Sequence, residues 1–556
     1  MKISFGVFRA EFLIGRGEAF MNVLLFDPLE WMYPDWLDDL KSGSKKPCFD
    51  VPRGGFCSVG MVLKGLRPGE TVELEADDPG CRFFRMKDVC VNLNTAEISF
   101  AERPDNPKSQ SVTRNAPFRV YDVLCPMDKT FIPDSAAAPI YIQRAVGRNE
   151  SPGLHTVNVR IRSGNERKTA AFAFRVSPVR LPRTGKDSVY LTNWFDPMNF
   201  DFPGTIKLWS KRFWKLTADH AALMHHMRQN TFLVPLNLFF CYDSGKFTLL
   251  EKELRQWIRI FTDAGLYWVE GGHPGVRDGG WNAVDFKVIH SGHSVRSREG
   301  CRDLASMMMQ LRTFMDRNGL RDRWIQHAAD EPIACNADPY RILAGIIRRY
   351  LPGIPLMDAL SDLNIAGAVD IWCPQIQIYQ REREGFEAVR EQQGDRLWVY
   401  TCCNPGGHWL NRLCDEELTR SLLLGWGCAE YRIEGFLHWG WNQYKHYTTP
   451  DLPPYQDPYE VTAPRHNDND TSCLPPGDTH IVYPGPNGTI YPSLRLEAQR
   501  EGIEDWELIR MLQRKAPEKC AKIVRRIFRT FNDYTADPRK IREARNTLLR
   551  ELETIA

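Results

Sequence analysis

From Ser188 onward one unit recurs: a short apolar run rich in β-branched and aromatic residues, then a longer stretch with apolar residues at helical spacing. The runs are SVYLTNWF, TFLVPL, YWVEGG, WIQHAAD, PLMDAL, VDIWCPQ, RLWVYTCC and IEGFLHWGWN. Between them a helical stretch is predicted from Trp209 to Asn230. Leu254, Trp257, Ile258 and Phe261 mark a second helix, and Leu304, Met307, Met308, Leu311, Phe314 and Met315 a third. Eight strand-helix units over roughly 330 residues predict an α/β fold, a (β/α)8 TIM-like barrel. The alternative, an open doubly wound sheet, would want a glycine-rich phosphate turn after its first strand, and none follows SVYLTNWF.

The first third follows another rhythm. In GLHTVNVRIRSG, Val157, Val159 and Ile161 alternate with Asn158, Arg160 and Arg162, and Phe172, Phe174 and Val176 alternate in the same way. With TVELEA, DVCVNLN, AEISFAE and APIYIQRAV, these runs are separated by Pro, Gly, Asp and Asn clusters, the pattern of an all-β sandwich. SPVRLPRTGKDS interrupts it with prolines, a glycine and charges. The chain of 556 residues exceeds what one hydrophobic core supports. We therefore expect a sandwich over residues 1–184, a barrel over 185–515 and a helical tail, 516–556, packed on the barrel. Within the tail, RKAPEKCAKIVRRIFRTF reads as a solvated amphipathic helix.

Seventy-two Lys and Arg nearly cancel 70 Asp and Glu, so no electrostatic case exists for nucleic acid or an anionic membrane. Sixteen Trp and 18 Tyr supply flat amphipathic side chains that pack cores and also stack on sugar rings. Arg9 and Glu11 break the apolar stretch that a signal peptide would need, and no run reaches spanning length, so a soluble, cytoplasmic protein is expected. The 15 cysteines show neither a CxxC pair nor a disulfide framework. Cys402, Cys403, His408 and Cys414 match no familiar zinc spacing, so neither metal nor cofactor is expected.

A barrel does its chemistry where strands end at the carboxyl face. The fourth run, WIQHAADEP, ends in two adjacent acids, Asp330 and Glu331, and Pro332 biases Glu331 away from helical geometry. Asp415 and Glu416 are adjacent too, but they open a predicted helix, where carboxylates complement the helix dipole. A retaining mechanism with an enzyme nucleophile wants its carboxyls across the bond from each other, which suits sequence neighbours poorly. Adjacent acids suit a substrate-assisted route in which the 2-acetamido oxygen of a sugar attacks its own anomeric carbon.

The segment YPSLRLEAQREGIEDWELIRML, residues 491–512, resembles the closing signature of the catalytic domain of glycoside hydrolase family 123, the retaining N-acetyl-β-galactosaminidases. DIWCPQ, GFLHWGWN and IVYPG resemble it as well. The resemblance implies that Asp330 orients the acetamido group and that Glu331 is the general acid/base. It leaves open whether Tyr379 or Tyr400 holds the acetamido oxygen. Trp372 is placed either as a wall of the sugar subsite or as a core ring, and Trp439 and Asn442 as contacts from the eighth strand. Asp478 and Tyr483 flank the loop before the last signature helix. Asn237 and His273, after strands two and three, could touch sugar or anchor loops. The signature's charges are expected to pair with one another, with Arg495 and Glu497 nearest the mouth. Two departures are His438, where arginine is expected, and the long polar loop from Pro274 to Glu299.

The expected activity is thus that of a retaining exo-β-N-acetylgalactosaminidase acting on a glycan. One alternative is a glycosidase for sugars lacking the acetamido group, with Asp358 or Glu270 as nucleophile. The other is a carbohydrate-binding barrel without catalysis. Oligomeric state is not legible.

Overall fold

The computed structural model describes residues 21–37, 48–95, 112–360, 362–444, 457–461, 463–467 and 470–555. The leader-like segment around Arg9 and the AEISFAE run lie outside them.

Two five-stranded sheets account for the first third. One is ordered Asn22–Phe26, Phe56–Lys64, Ala137–Ala145, Cys81–Val91, Phe118–Met127. The other runs Cys48–Arg53, Glu166–Arg180, Gly153–Ser163, Val72–Ala76, Thr130–Phe131. Val59, Met61 and Ile140 of the first sheet share a core with Val157, Val159, Phe172 and Phe174 of the second, so the alternating positions close a sandwich. The first sheet is covered on both faces. Phe84, Val120 and Tyr141 point away from the second sheet into the larger core of the α/β region, which is why APIYIQRA reads as a continuous apolar run.

Eight parallel strands follow, numbered β1 (Tyr190–Asn193), β2 (Thr231–Val234), β3 (Trp268–Gly271), β4 (Trp324–Gln326), β5 (Met357–Ala359), β6 (Ile371–Cys373), β7 (Arg396–Thr401) and β8 (Gly435–His438). Each lies within the run expected for it. They hydrogen-bond as two arcs, β2-β3-β4 and β1-β8-β7-β6-β5. A single parallel bridge, Gln326 to Leu356, joins the arcs on one side. On the other, the Leu191 amide donates to the Asn230 side chain at 3.1 Å. The architecture is therefore a curled parallel sheet in a mixed α/β chain.

The helices between strands form where expected, except in one unit. α1 (Lys211–His226), α2 (Glu251–Asp263), α3 (Arg298–Asn318) and α4 (Ala337–Tyr350) follow β1 to β4, and α5 (Arg383–Gln393), α6 (Thr419–Glu430) and α7 (Leu494–Lys515) follow β6 to β8. Between β5 and β6 the described residues hold only the 3-10 turn Leu363–Ile365. α3 shows local sequence logic at both ends. Ser297 caps it by accepting from the Gly300 amide at 2.9 Å, and Gly319 ends it in the left-handed region at φ 62°.

α7 carries the signature segment and is buried on all sides. It crosses α6 so closely that a Cβ on Gly502 would stand 2.1 Å from the Leu422 carbonyl, and one on Gly425 would stand 2.1 Å from the Gly502 carbonyl. Arg495 and Glu497 hold the sandwich to the sheet and do not reach a mouth. Arg495 Nε donates to Asp122 Oδ2 at 2.9 Å, and Glu497 accepts from Gln143 at 2.7 Å and pairs with His226 at 2.7 Å.

Asp415 and Glu416 also differ from expectation. They precede α6 and are fully buried, and Asp415 accepts from the Thr95 amide and hydroxyl at 2.7 and 2.8 Å. In the tail, the helix ends at Val524 and a strand, Phe528–Thr530, follows. Ile527, Phe528 and Phe531 are buried, so this half is not a solvated helix face. Among the described residues no helix is long and apolar enough to cross a membrane.

Candidate active site

Beyond β4 the chain leaves the strand and bends through residues 329–331, which carries the acid pair. The Ala328 amide donates to Asp358 Oδ2 at 2.9 Å, and the Glu331 amide donates to the Ala359 carbonyl at 3.0 Å. Glu331 takes φ 46°, a left-handed conformation uncommon outside glycine. Pro332 disfavours the right-handed alternative, and the local cost of about 1–3 kcal/mol is borne by the clamps around it. One clamp is Arg277, whose guanidinium donates to the Glu331 carbonyl from the hairpin Gly275–Arg277/Phe286–Val288. At the carboxyl end, the Tyr400 hydroxyl donates to Glu331 Oε1.

Asp330 opens to solvent at the mouth, although protein atoms surround it densely on its other sides. That surround, and then the negative Asp358, raise its pKa above the ordinary aspartate value, while His273, Arg277 and His327 pull it down. Solvent contact moderates the rise. A substrate covering the mouth would remove that contact.

Beneath the pair lies a fully buried charge cluster. His327 Nδ1 is 2.7 Å from Asp358 Oδ1, and its Nε2 is 2.7 Å from Glu270 Oε1. Burial opposes a charge on this ring, but the two carboxylates prevail and lift its pKa from 6.5 to about 10. Asp358 is likewise penalised by burial, yet His273 and His327 bring it down to about 2. At neutral pH an imidazolium therefore stands between two carboxylates. Glu270 also accepts from the Thr192 hydroxyl and from Trp194 Nε1, the latter at 2.7 Å, and Asp358 accepts from the Tyr340 hydroxyl. Both acids weighed as alternative nucleophiles thus have their oxygens engaged. His273, His327 and Asp358 are the one group among the described residues whose ligand atoms converge closely enough for a metal, within 4.8 Å. Both His327 nitrogens already face carboxylates, which suits a proton better than an ion.

The other expected residues divide. Tyr400 reaches Glu331, and His273 Nε2 lies 3.1 Å from Asp358. Trp439, half-buried, donates through Nε1 to Asp478 at 3.0 Å. Tyr379 faces the outer helices, its hydroxyl donating to Glu387 at 2.8 Å. Trp372 is fully buried on Phe386 and donates to Asp395 at 2.8 Å, as a core ring does. Asn442 fastens a loop by accepting from the Asp196 amide and donating to its carbonyl, at 2.9 and 3.0 Å. Tyr483 donates to Asp122 at 2.6 Å in the sandwich junction, and Asn237 is exposed, its carbonyl paired with His290. Tyr379, Trp372, Asn442 and Tyr483 are thus engaged in packing or loop contacts, and neither they nor Asn237 are joined to the acids by a hydrogen bond among the described residues. His438, where arginine is expected, is fully buried, and Arg412 donates to its Nδ1 at 2.7 Å.

Sequence reasoning missed Trp194, Arg277, Trp281 and Gln375. Trp194 ends β1 as Trp439 ends β8, and the same rule could have found it; its ring meets His273 and His327 edge-on. Glu331, but not Asp330, lines a cleft of about 590 Å³ with Trp281, Asp362, Asn364, Gln375, Glu382 and Tyr400. A cavity of about 340 Å³ at the opposite strand ends, beside Tyr190 and Glu434, is remote from the acids.

Residues 282–512 match the family model described as Glycoside hydrolase 123, catalytic domain. The match ends at the last residue of the segment singled out in the sequence, so the resemblance read there holds. A family 123 glycoside hydrolase from Clostridium perfringens, whose structural analysis concerned glycolipid glycan hydrolysis, aligns over 96% of this chain and 97% of its own, with a TM-score of 0.69 and 12% identity. At that identity the likeness is one of fold. The β-glucuronidase of Parabacteroides merdae aligns over 80% of this chain and 51% of its own at 10% identity, and its TM-score of 0.32 carries no argument. No curated protein matches the chain.

Proposed function

For a chain that carries a glycoside hydrolase 123 catalytic domain over residues 282–512, we propose retaining hydrolysis of a terminal β-linked N-acetylgalactosamine from a glycan, by substrate assistance. Asp330, as the carboxylate, accepts the acetamido N–H and turns the acetamido oxygen onto the anomeric carbon. As that C–O bond forms, the glycosidic C–O bond breaks and Glu331 gives its proton to the departing oxygen. Asp330 then faces the positive oxazolinium. Water, deprotonated by Glu331, attacks the anomeric carbon from the side the leaving group vacated as the bond from that carbon to the oxazolinium oxygen breaks and restores the acetamido group, and the configuration is retained. No metal or cofactor enters these steps. Tyr400, donating to Glu331, sets the acid's orientation.

One observation carries the reading: of the two adjacent acids only Glu331 lines the cleft, while Asp330 lies outside it in the field of His273 and Asp358. The engagement of Glu270 and Asp358 supports it further, since neither offers a free nucleophile. The same reading takes the eight parallel strands as a closed (β/α)8 barrel over 185–515, between a sandwich domain over 1–184 and the tail.

Aryl β-glycosides differing only at C2 and C4 test it. We expect turnover with the N-acetylgalactosaminide and strong inhibition by its thiazoline analogue. Asp330→Asn should slow every leaving group, and Glu331→Gln should slow poor leaving groups most. Indifference to the thiazoline together with hydrolysis of the plain galactoside would refute substrate assistance.

A further inference from the structure

Because Glu331 lines the 590 Å³ cleft and Asp330 does not, the cleft lies on the proton-donor side of the pair. We propose that it is a leaving-group subsite built for an uncharged sugar, with Trp281 as its stacking platform. This rests on the assignment of Glu331 as the acid. The group that leaves must sit beside the residue that protonates it, and the cleaved sugar must sit over Asp330.

Trp281 is 53% exposed, so the flat amphipathic ring is open to a ligand. It stands at the tip of the hairpin, where Phe286 and Val288 are buried and Arg277 pairs across to Phe286. The Arg277 guanidinium lies 4.0 Å from the ring centroid, covering one face and leaving the other for a ligand. Since Arg277 also donates to the Glu331 carbonyl, one side chain fixes both the ring and the acid.

The rest of the wall states the ligand's chemistry. Asn364 and Gln375 offer amides to hydroxyl groups, while Asp362, Glu382 and Glu331 are carboxyls. No Lys, Arg or His lines the cleft among the described residues; Arg277 lies against the Trp281 ring, its guanidinium engaged by that ring and by the Glu331 carbonyl. Carboxylates accept from sugar hydroxyls and repel an acidic substituent. The volume falls in the roughly 300–1,000 Å³ range of ligand sites.

Three substrates with the same cleaved sugar test the inference: the trifluoroethyl glycoside, the β-linked galactose disaccharide, and that disaccharide with galacturonate in place of galactose. We expect Trp281→Ala to raise KM for the galactose disaccharide about ten-fold more than KM for the trifluoroethyl glycoside, whose leaving group has no ring to stack. The galacturonate substrate should show kcat/KM about ten-fold lower than galactose in wild type. That gap should narrow with salt and in Asp362→Asn/Glu382→Gln. Equal losses for all three substrates in Trp281→Ala, or no penalty for galacturonate, would overturn the inference. If wild type cleaves none of them, the assigned sugar is what fails. Saturation-transfer NMR with methyl β-galactoside then decides for the cleft: a wild-type signal that disappears in Trp281→Ala supports it, and one that persists at full strength overturns it.

Discussion

Replacing His327 with glutamine keeps a hydrogen-bond donor between Asp358 and Glu270 but removes the positive charge. The folded ring titrates at about 10 against an unfolded value of 6.5. Its contribution to stability is therefore fully present below pH 6.5 and is lost as the pH rises toward 10. At about 1.4 kcal/mol for each pH unit, the difference amounts to roughly 5 kcal/mol. Breaking a buried ion pair from one side costs about 3–5 kcal/mol, the same order. Urea unfolding followed by tryptophan fluorescence at pH 6, 8 and 10.5 measures it. We expect a deficit of roughly 6 kcal/mol for His327→Gln at pH 6, shrinking to about 1–2 kcal/mol at pH 10.5, where only hydrogen-bond differences remain. A deficit that stays constant across this range would refute the charged imidazolium.

Tyr400→Phe removes the donor to Glu331 and should lower kcat about 10- to 100-fold, the worth of one hydrogen bond to a charged group, with little change in the urea midpoint. The acid limb of kcat/KM should lie above the ordinary aspartate value, because Asp330 acts as a carboxylate and its pKa is raised. Activity is lost as pH falls through that pKa, and His273→Asn, which removes a lowering influence, should move the limb to higher pH in a pH–rate profile. Arg495→Met leaves Asp122 buried without its cation and should cost about 3–5 kcal/mol in urea unfolding.

The fold was legible wherever local pattern and environment agree. All eight parallel strands fall within runs that periodicity picks out, and Val157, Val159 and Ile161 face inward as their alternation requires. Asp415 and Glu416 differ from expectation because local sequence cannot show that Thr95, some 320 residues away, closes over them. The site was legible along the chain and illegible across it. Asp330, Glu331 and the Tyr400 alternative sit at strand ends, which strand order predicts. By contrast, the His327 contacts to Glu270 and Asp358 join three different strand ends. Trp372 is open between wall and core, and Tyr379 competes with Tyr400 for the acetamido oxygen, because strand end alone does not tell inward from outward. The alternation around Trp372, with Ile371 and Cys373 sharing an inner cluster with Tyr400, places its ring on the helix side.

The one strand-helix unit that departs from the pattern explains where the cleft comes from. After β5 a helix would carry the chain directly down the outside of the sheet. Instead Asp362, Leu363 and Asn364 remain at the carboxyl end, the Asp362 side chain accepting from the Asn364 amide at 2.9 Å. Those residues form the cleft wall opposite Trp281 and Glu331. Leu363 is anchored against α5, where a Cβ on Gly385 would come within 2.4 Å of it. Exchanging the outer helix for a rim loop widens the mouth beside the fifth strand, next to the strand that bears the acids. A substrate longer than one sugar needs that room on the side from which Glu331 gives its proton.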